Sequence, residues 1–187
     1  FTTSQCLLAP HRNQPMTKDD IEQRLKEALR AEHVVWLDHG NLVGDDTDGH
    51  IDTIVRTAPE NTLLYVGCDD SHDEQYEDFL ALEHQLMGLR TSTGMPYRLL
   101  RLPMPDAIYD EGERLPATYA NFLIINGAVI CPTYAQPEKD KQALQTIAQA
   151  YPDREAIGID ARTVIKQHGS LHCLTMQFPQ GVIANNP

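Results

Sequence analysis

The amino-acid sequence predicts an α/β fold made of about three repeated ββαβ modules. A pattern of a short apolar strand, a polar loop, an amphipathic helix and a second apolar strand recurs three times in the 187 residues. Cys6, Cys68 and Cys131 each fall on the predicted first strand of a copy, at nearly equal spacing. Such units bury their apolar faces only by packing on one another. We therefore expect one domain over residues 1–187.

The first predicted module consists of the strand QCLLAP, a helix over Thr17–Arg30 and the strand HVVWL. Thr17 and Asp20 have the Thr-x-x-Asp spacing of a capping box, in which each side chain bonds the other residue's backbone N–H. Ile21 and Leu25 lie one turn apart and begin an apolar stripe. These features favour a helix that starts at Thr17 and packs one face inward.

The second predicted module consists of the strand TLLYVGC, a helix over His72–Leu89 and the strand YRLLRLP. Ser71 and Glu74 repeat the capping-box spacing. Phe79 and Leu86 fall on the same helical face, which is expected to be buried.

The third predicted module consists of the strand AVICPTY, a helix over Pro137–Ala150 and the strand EAIGIDA. Proline suits the first position of a helix, because its missing N–H has no partner there. Two further runs, IDTIVRT and YANFLIIN, are rich in the residues that strands prefer. Pro103–Pro116 is predicted to be a long surface loop, and loops of this length are often functional.

The charge balance disfavours a nucleic-acid partner. Fifteen Lys and Arg residues stand against 27 Asp and Glu residues, which gives a formal net charge of −12, whereas phosphate binding needs a basic surface. An acidic surface favours a small cationic ligand, although the same charge also serves solubility alone.

No membrane or secretory segment is predicted. No apolar run approaches the ~20 residues of a membrane span, and the first residues lack a basic leader followed by an apolar core. The four cysteines form no CxxC pair, so reduced thiols and a cytoplasmic location are expected.

Cys173, in the run GSLHC, is the candidate nucleophile. A thiolate is the reactive form of cysteine, and a nearby cation is needed for a thiol to ionise at neutral pH. His168, His172 and the distant His50 are candidates for that role. Gly169 lets the backbone come close to a ligand. The alternative is a buried structural cysteine.

His50 and Asp52, in the run GDDTDGHID, are the candidate acid/base and carboxylate. On a strand, residues two apart share a face, so both side chains are expected to point the same way. Imidazole exchanges protons near neutral pH, and a carboxylate can hold a guanidinium group through two hydrogen bonds. The alternative is an exposed acidic turn.

The sequence disfavours two possible metal sites. Asp45, Asp46 and Asp48 precede Gly49, but the spacing of a calcium-binding EF-hand loop fails at both ends. A zinc site from His168, His172 and Cys173 needs a helical face, whereas LHCLTMQFP is predicted to be a strand.

Asp48 and Asn121, together with Gly169, complete the predicted substrate-binding set.

Several long runs resemble the agmatine deiminase family, also called the bacterial-type peptidylarginine deiminase family. They are CLLAPHRN, WLDHGNLVGDDTDGHID, LLRLPMP, GERLPATYANFLIIN, YPDREAIGIDAR and GSLHCLTMQFP, in the family's order. The resemblance implies the pentein fold, an α/β propeller of five modules, of which this chain would form a partial propeller. It also implies hydrolysis of a guanidinium group to a ureido group with release of ammonia, and no cofactor.

The resemblance assigns roles to particular residues. Cys173 matches the family's nucleophile, His50 its general acid/base and Asp52 its guanidinium-binding carboxylate. Agmatine, arginine and peptidyl-arginine all remain open as substrates. The chain is similar to only the C-terminal part of family members. An inactive fragment that serves as a binding or assembly module is therefore the alternative, and we expect self-association or pairing with the N-terminal modules.

Overall fold

The computed structural model describes residues 1–179, 181 and 182. Its helices are α1 Ser4–Leu7, α2 Lys18–Leu29, α3 Tyr76–Gly88 and α4 Pro137–Ala150. Its strands are β1 Thr2–Thr3, β2 Trp36–Leu37, β3 Val55–Ala58, β4 Thr62–Gly67, β5 Arg98–Pro103, β6 Tyr109–Asp110, β7 Glu113–Arg114, β8 Leu123–Ile125, β9 Ala128–Thr133 and β10 Glu155–Asp160. The predicted α/β class is confirmed.

The first module differs from its prediction at the N-terminal end. Strand β1 pairs in parallel with β2 over only two residues, and the chain then enters the short helix α1. Thr3 caps this helix, since its Oγ1 accepts from the backbone N–H of Cys6 at 3.3 Å. The predicted strand QCLLAP is therefore wrong, and Cys6 is helical. The capping box of Thr17 and Asp20 is confirmed at the start of α2.

The second module forms a three-stranded sheet in the order β3-β4-β5. Strand β3 runs antiparallel to β4, and β4 runs parallel to β5. All six residues of β4 are buried, and Phe79 and Leu82 of α3 are fully buried in the core. Burying one such side chain stabilises the fold by roughly 1.5–3 kcal/mol.

Helix α3 starts four residues later than predicted. Asp70 and Asp73 accept hydrogen bonds from the backbone N–H groups of His72 and Gln75, at 2.9 Å each. These bonds hold the residues before Tyr76 in turns, because short acidic side chains compete with helical bonding. The predicted capping role of Ser71 and Glu74 is therefore wrong.

The third module forms the sheet β8-β9-β10, with β8 antiparallel and β10 parallel to β9. Helix α4 occupies the predicted range Pro137–Ala150, and it packs against β5 of the second sheet as well as β9 and β10. The third sheet and the second sheet thus share one core.

The predicted loop Pro103–Pro116 contains the short hairpin β6–β7. Met104 and Leu115 are buried at its two ends, so the loop packs onto the core rather than lying free.

Among the residues that the structure describes, no helix combines the length and apolar character that crossing a membrane requires.

Candidate active site

His50 and Asp52 lie in a tight turn before β3, not on a strand as predicted. The side chain of Asp45 accepts from the backbone N–H groups of Thr47 and Gly49 at 3.3 and 2.8 Å. The hydroxyl of Thr47 accepts from the N–H of His50 at 3.2 Å. The segment Ile51–Thr53 then makes a single 3₁₀ turn. These side-chain bonds fold the acidic loop back on itself, which breaks the strand pattern.

Cys173 also lies in a 3₁₀ turn, His172–Leu174, so the strand predicted over LHCLTMQFP is wrong at this point. His168 precedes it with a left-handed backbone (φ 64°), and its Nδ1 lies 2.8 Å from the carbonyl oxygen of Gly44. Gly169 packs against Cys173, because a Cβ placed at Gly169 would lie 3.3 Å from the Cβ of Cys173.

Asn121 joins the two turns although it is fully buried. Its Nδ2 donates to Oδ2 of Asp52 at 3.0 Å and approaches Sγ of Cys173 at 3.4 Å. Its Oδ1 accepts from the backbone N–H of His172 at 2.9 Å. One amide therefore fixes the carboxylate and the thiol relative to each other.

Asp52 is mostly buried and bonds the imidazole of His172, with 2.6 Å between Oδ2 and Nδ1. Burial raises the pKa of this carboxyl group. The His172 hydrogen bond and the charges of His172, Arg56 and His50 lower it by more. Asp52 is therefore held as a carboxylate at neutral pH.

The thiol of Cys173 lies 3.9 Å from Oδ2 of Asp52, and Cys173 is the exposed one of the four cysteines. Cys6, Cys68 and Cys131 are buried, and burial raises the pKa of each thiol. Only Cys173 thus combines solvent access with polar neighbours that could assist a reaction.

His50 faces a different neighbour, the side chain of Arg12. The Nη2 atom of Arg12 lies 3.2 Å from Nε2 of His50 and donates to the carbonyl of Thr47 at 2.8 Å. The Nε atom of Arg12 donates to Asp48 at 3.0 Å. The charge of His50 helps to lower the pKa of Asp52. Among residues 1–179, however, no hydrogen bond joins His50 to Cys173.

Asp48 lies outside the cluster of Asp52, Asn121, His172 and Cys173. Its carboxylate contacts Nε2 of His11 at 2.8 Å as well as Arg12. The Arg12 hydrogen bond is the main reason that the pKa of Asp48 lies below its usual value. Asp48 is therefore a partner of Arg12, and Arg12 in turn contacts His50.

Two neighbours of the cluster were missed by sequence reasoning. Arg12 lies in an irregular loop and Arg56 in β3. Neither was predicted to have a site role, although Arg12 falls in the run CLLAPHRN. The run IDTIVRT, rich in strand-forming residues, predicts only that Arg56 lies on a strand. Among the described residues, no group of three or more His, Cys, Asp or Glu side chains could hold a metal ion.

Together, the α/β modules and the thiol beside a carboxylate and an amide define a class of α/β proteins with a cysteine-centred candidate site. The sequence model of the Porphyromonas-type peptidyl-arginine deiminase family matches residues 1–179. The chain belongs to this family.

Solved structures agree with this assignment. A Porphyromonas gingivalis protein, provisionally named arginine deiminase, is 54% identical with a TM-score of 0.93, over 96% of this chain and 52% of that one. A substrate-bound agmatine deiminase of C. jejuni is 40% identical with a TM-score of 0.84, over 91% of this chain and 49% of that one.

A curated relative from Marinomonas sp., provisionally named agmatine deiminase, is 36% identical over 96% of this chain and 53% of its own length. The chain therefore spans about half the length of the curated relatives that it matches, as the resemblance to a C-terminal part predicted.

Proposed function

We propose that the natural protein containing this chain hydrolyses a guanidinium group to a ureido group and releases ammonia. The supporting observation is the position of Cys173. Its exposed thiol lies beside the carboxylate of Asp52 and the amide of Asn121. Agmatine, arginine and peptidyl-arginine each present the flat cation that such a site suits. Agmatine deiminases are among the relatives of this chain.

The thiolate of Cys173 attacks the guanidinium carbon and forms a tetrahedral adduct. The bond from this carbon to one terminal nitrogen then breaks, His50 gives that nitrogen a proton, and ammonia leaves. The carbon remains bound to sulfur as a thiouronium. Water, which loses a proton to His50, attacks the same carbon, and the carbon–sulfur bond breaks to release the ureido product.

Asp52 has one oxygen available for the cation. Its Oδ2 is taken by His172 and Asn121, whereas Oδ1 accepts no hydrogen bond from the described residues. A guanidinium N–H can bond Oδ1, and the carboxylate would offset the charge of the cation. Gly169 leaves room behind the nucleophile, and Asp48 acts through Arg12. No cofactor enters this scheme.

A haloacetamidine probe tests the assignment, because its amidinium mimics the substrate and its carbon alkylates the attacking sulfur. We expect labelling of Cys173 by mass spectrometry, and a sharp loss of labelling in His50→Ala. His72→Ala is the control, since the His72 side chain is 94% exposed. Equal labelling at all four cysteines would contradict the role of Cys173.

A second candidate is a binding module without turnover. It is favoured by the hydrogen bond that already occupies Asp52 and by the chain's spanning half of its relatives' length. Calorimetric titration with agmatine alongside an ammonia assay separates the two candidates, because this one predicts binding heat with no ammonia.

We also propose that the three modules form part of a pentein propeller whose exposed edge packs against further modules or a second copy. Strand β10 lies at the edge of its sheet, and Ile157 and Ile159 are 36% and 46% exposed there. Unpaired strand edges with apolar side chains associate. Light scattering of the 187-residue chain should show oligomers that Ile159→Lys reduces.

We also propose a cytoplasmic location, because the reducing cytoplasm keeps free thiols reduced.

A further inference from the structure

Arg56 bonds the backbone on both sides of Asn121. It is the second residue of β3, and its Nη1 donates to the carbonyl oxygens of Ala120 at 3.0 Å and Phe122 at 2.5 Å. Its guanidinium carbon also lies 4.5 Å from the centre of the Phe122 ring. Strand β3 is paired along its length with the buried strand β4, so this contact ties Asn121 to the second sheet.

The charge of Arg56 has no direct counter-ion. Among the described residues, no carboxylate lies within 4.0 Å of its guanidinium, although most other arginines have one. Burial lowers the pKa of Arg56, and the nearby charges of Asp52, Tyr151 and Cys173 act in the opposite direction. A buried charge is unfavourable unless nearby groups compensate it. Asp52 and an ionised Cys173 are the negative groups placed to do so.

We propose that Arg56 is a positioning residue that holds Asn121 against Cys173 and stabilises the thiolate through its buried positive charge. This inference rests on the proposed function. Asp52 lies 3.9 Å from the sulfur, His172 is next to Cys173 in the same turn, and Arg56 on β3 bonds the backbone on both sides of Asn121. His50 lies on the turn before β3, where it contacts Arg12. Asp52 opposes ionisation of the thiol, and the two histidines carry charge only when protonated. Arg56 is the permanent cation of this set.

Two substitutions separate the effect of the Arg56 hydrogen bonds to two carbonyls, here called the grip, from the effect of its positive charge. Arg56→Lys keeps the positive charge but loses the planar group that reaches two carbonyls. Arg56→Gln keeps an N–H donor but removes the charge. Arg101→Gln is the matched control, because Arg101 is a partly buried strand arginine that bonds Asp69, Glu83 and the carbonyl of Cys68 instead.

The rate at which iodoacetamide alkylates Cys173 is measured from pH 5 to 10 in the natural protein, alongside kcat and KM. We expect Arg56→Gln to lower the alkylation rate at neutral pH by about tenfold. Arg56→Lys should keep the profile within about twofold. Its kcat should fall about tenfold with little change in KM, because Asn121 loses its anchor. Arg101→Gln should change neither.

A parental alkylation profile in Arg56→Gln would overturn the proposed charge effect, and a parental kcat in Arg56→Lys would overturn the grip. Should Arg56→Gln fail to fold, a displaced profile in Arg56→Lys would itself contradict the charge effect. If the parent protein resists the haloacetamidine probe at Cys173, the proposed function fails. If the probe labels Cys173 and the Arg56 variants behave like the parent, only this inference fails.

Discussion

Nδ1 of His172 lies 2.6 Å from Oδ2 of Asp52, although 120 residues separate them in the chain. Asn121 bonds the same carboxylate oxygen, so three segments meet at one atom. These bonds occupy Oδ2, the carboxylate oxygen that lies 3.9 Å from Sγ of Cys173, and leave Oδ1 without a hydrogen bond from the described residues. The geometry of the candidate site therefore depends on long-range packing rather than on any one motif.

The first prediction concerns stability against pH. The pKa of Asp52 is lower in the folded protein than its usual value, so this group stabilises the fold above about pH 4, its unfolded pKa, and the contribution is lost as pH falls through the folded value. Asp52→Asn should reduce the free energy of unfolding at pH 7 by about 1–2 kcal/mol, and the difference should shrink below pH 4 in urea titrations. Asp153→Asn, at an exposed carboxylate, should lack this dependence.

Asn121→Ala should both destabilise the protein and disable the site. The substitution removes the hydrogen bonds that the buried Asn121 amide makes to Asp52 and to the N–H of His172 and opens a small cavity, which together cost about 2–3 kcal/mol. Chemical denaturation gives the stability, and single-turnover kinetics give the chemical step. Asn41→Ala, at an exposed side chain, should leave both unchanged. A stable, active Asn121→Ala variant would show that the bridge is unnecessary.

Gly169→Ala should slow the reaction more than it harms the fold. The added Cβ would lie 3.3 Å from Cβ and 3.7 Å from Sγ of Cys173, so the Cys173 side chain must shift by a few tenths of an ångström. Misplacement on this scale lowers rates severalfold or more. The haloacetamidine labelling rate measures the effect. Gly88→Ala meets no atom within 4 Å and should label at the parental rate.

Asp48→Asn distinguishes two roles for Asp48. A substrate-binding carboxylate, as the sequence suggested, would raise KM when neutralised. The structure instead pairs Asp48 with Arg12, whose guanidinium contacts His50. We therefore expect kcat to fall about three- to tenfold with KM nearly unchanged. Asp46→Asn is the control in the same loop, since Asp46 is exposed. A larger change in KM than in kcat would restore the binding role.

Local signals in the sequence predicted the elements that are built locally. Thr17 and Asp20 mark the start of α2, and Pro137 marks the start of α4, because capping bonds and proline geometry depend on a few adjacent residues. The same capping pattern misled at Ser71, where the side chains of Asp70 and Asp73 bind the backbone first. Competing side-chain bonds of this kind are not visible in residue spacing.

The candidate site was predictable only in part for a related reason. Cys173 and Asp52 were found through chemistry and family resemblance, and the structure brings them within 3.9 Å. The strand expected at His50 failed because Asp45 closes the acidic loop. Arg56 was overlooked since its importance comes from two carbonyls more than 60 residues away.

The turn that carries Cys173 is bonded to a residue just before the third sheet. The N–H of His172 is shared between the side-chain and backbone oxygens of Asn121, and Leu123, two residues on, begins β8. A ligand that pushes on the sulfur therefore pushes on the third sheet. We therefore expect the rigidity of that sheet to limit how far Cys173 moves when a ligand binds. Substitutions on the face of β8 and β9 that points away from Cys173 should change this movement without contacting the thiol.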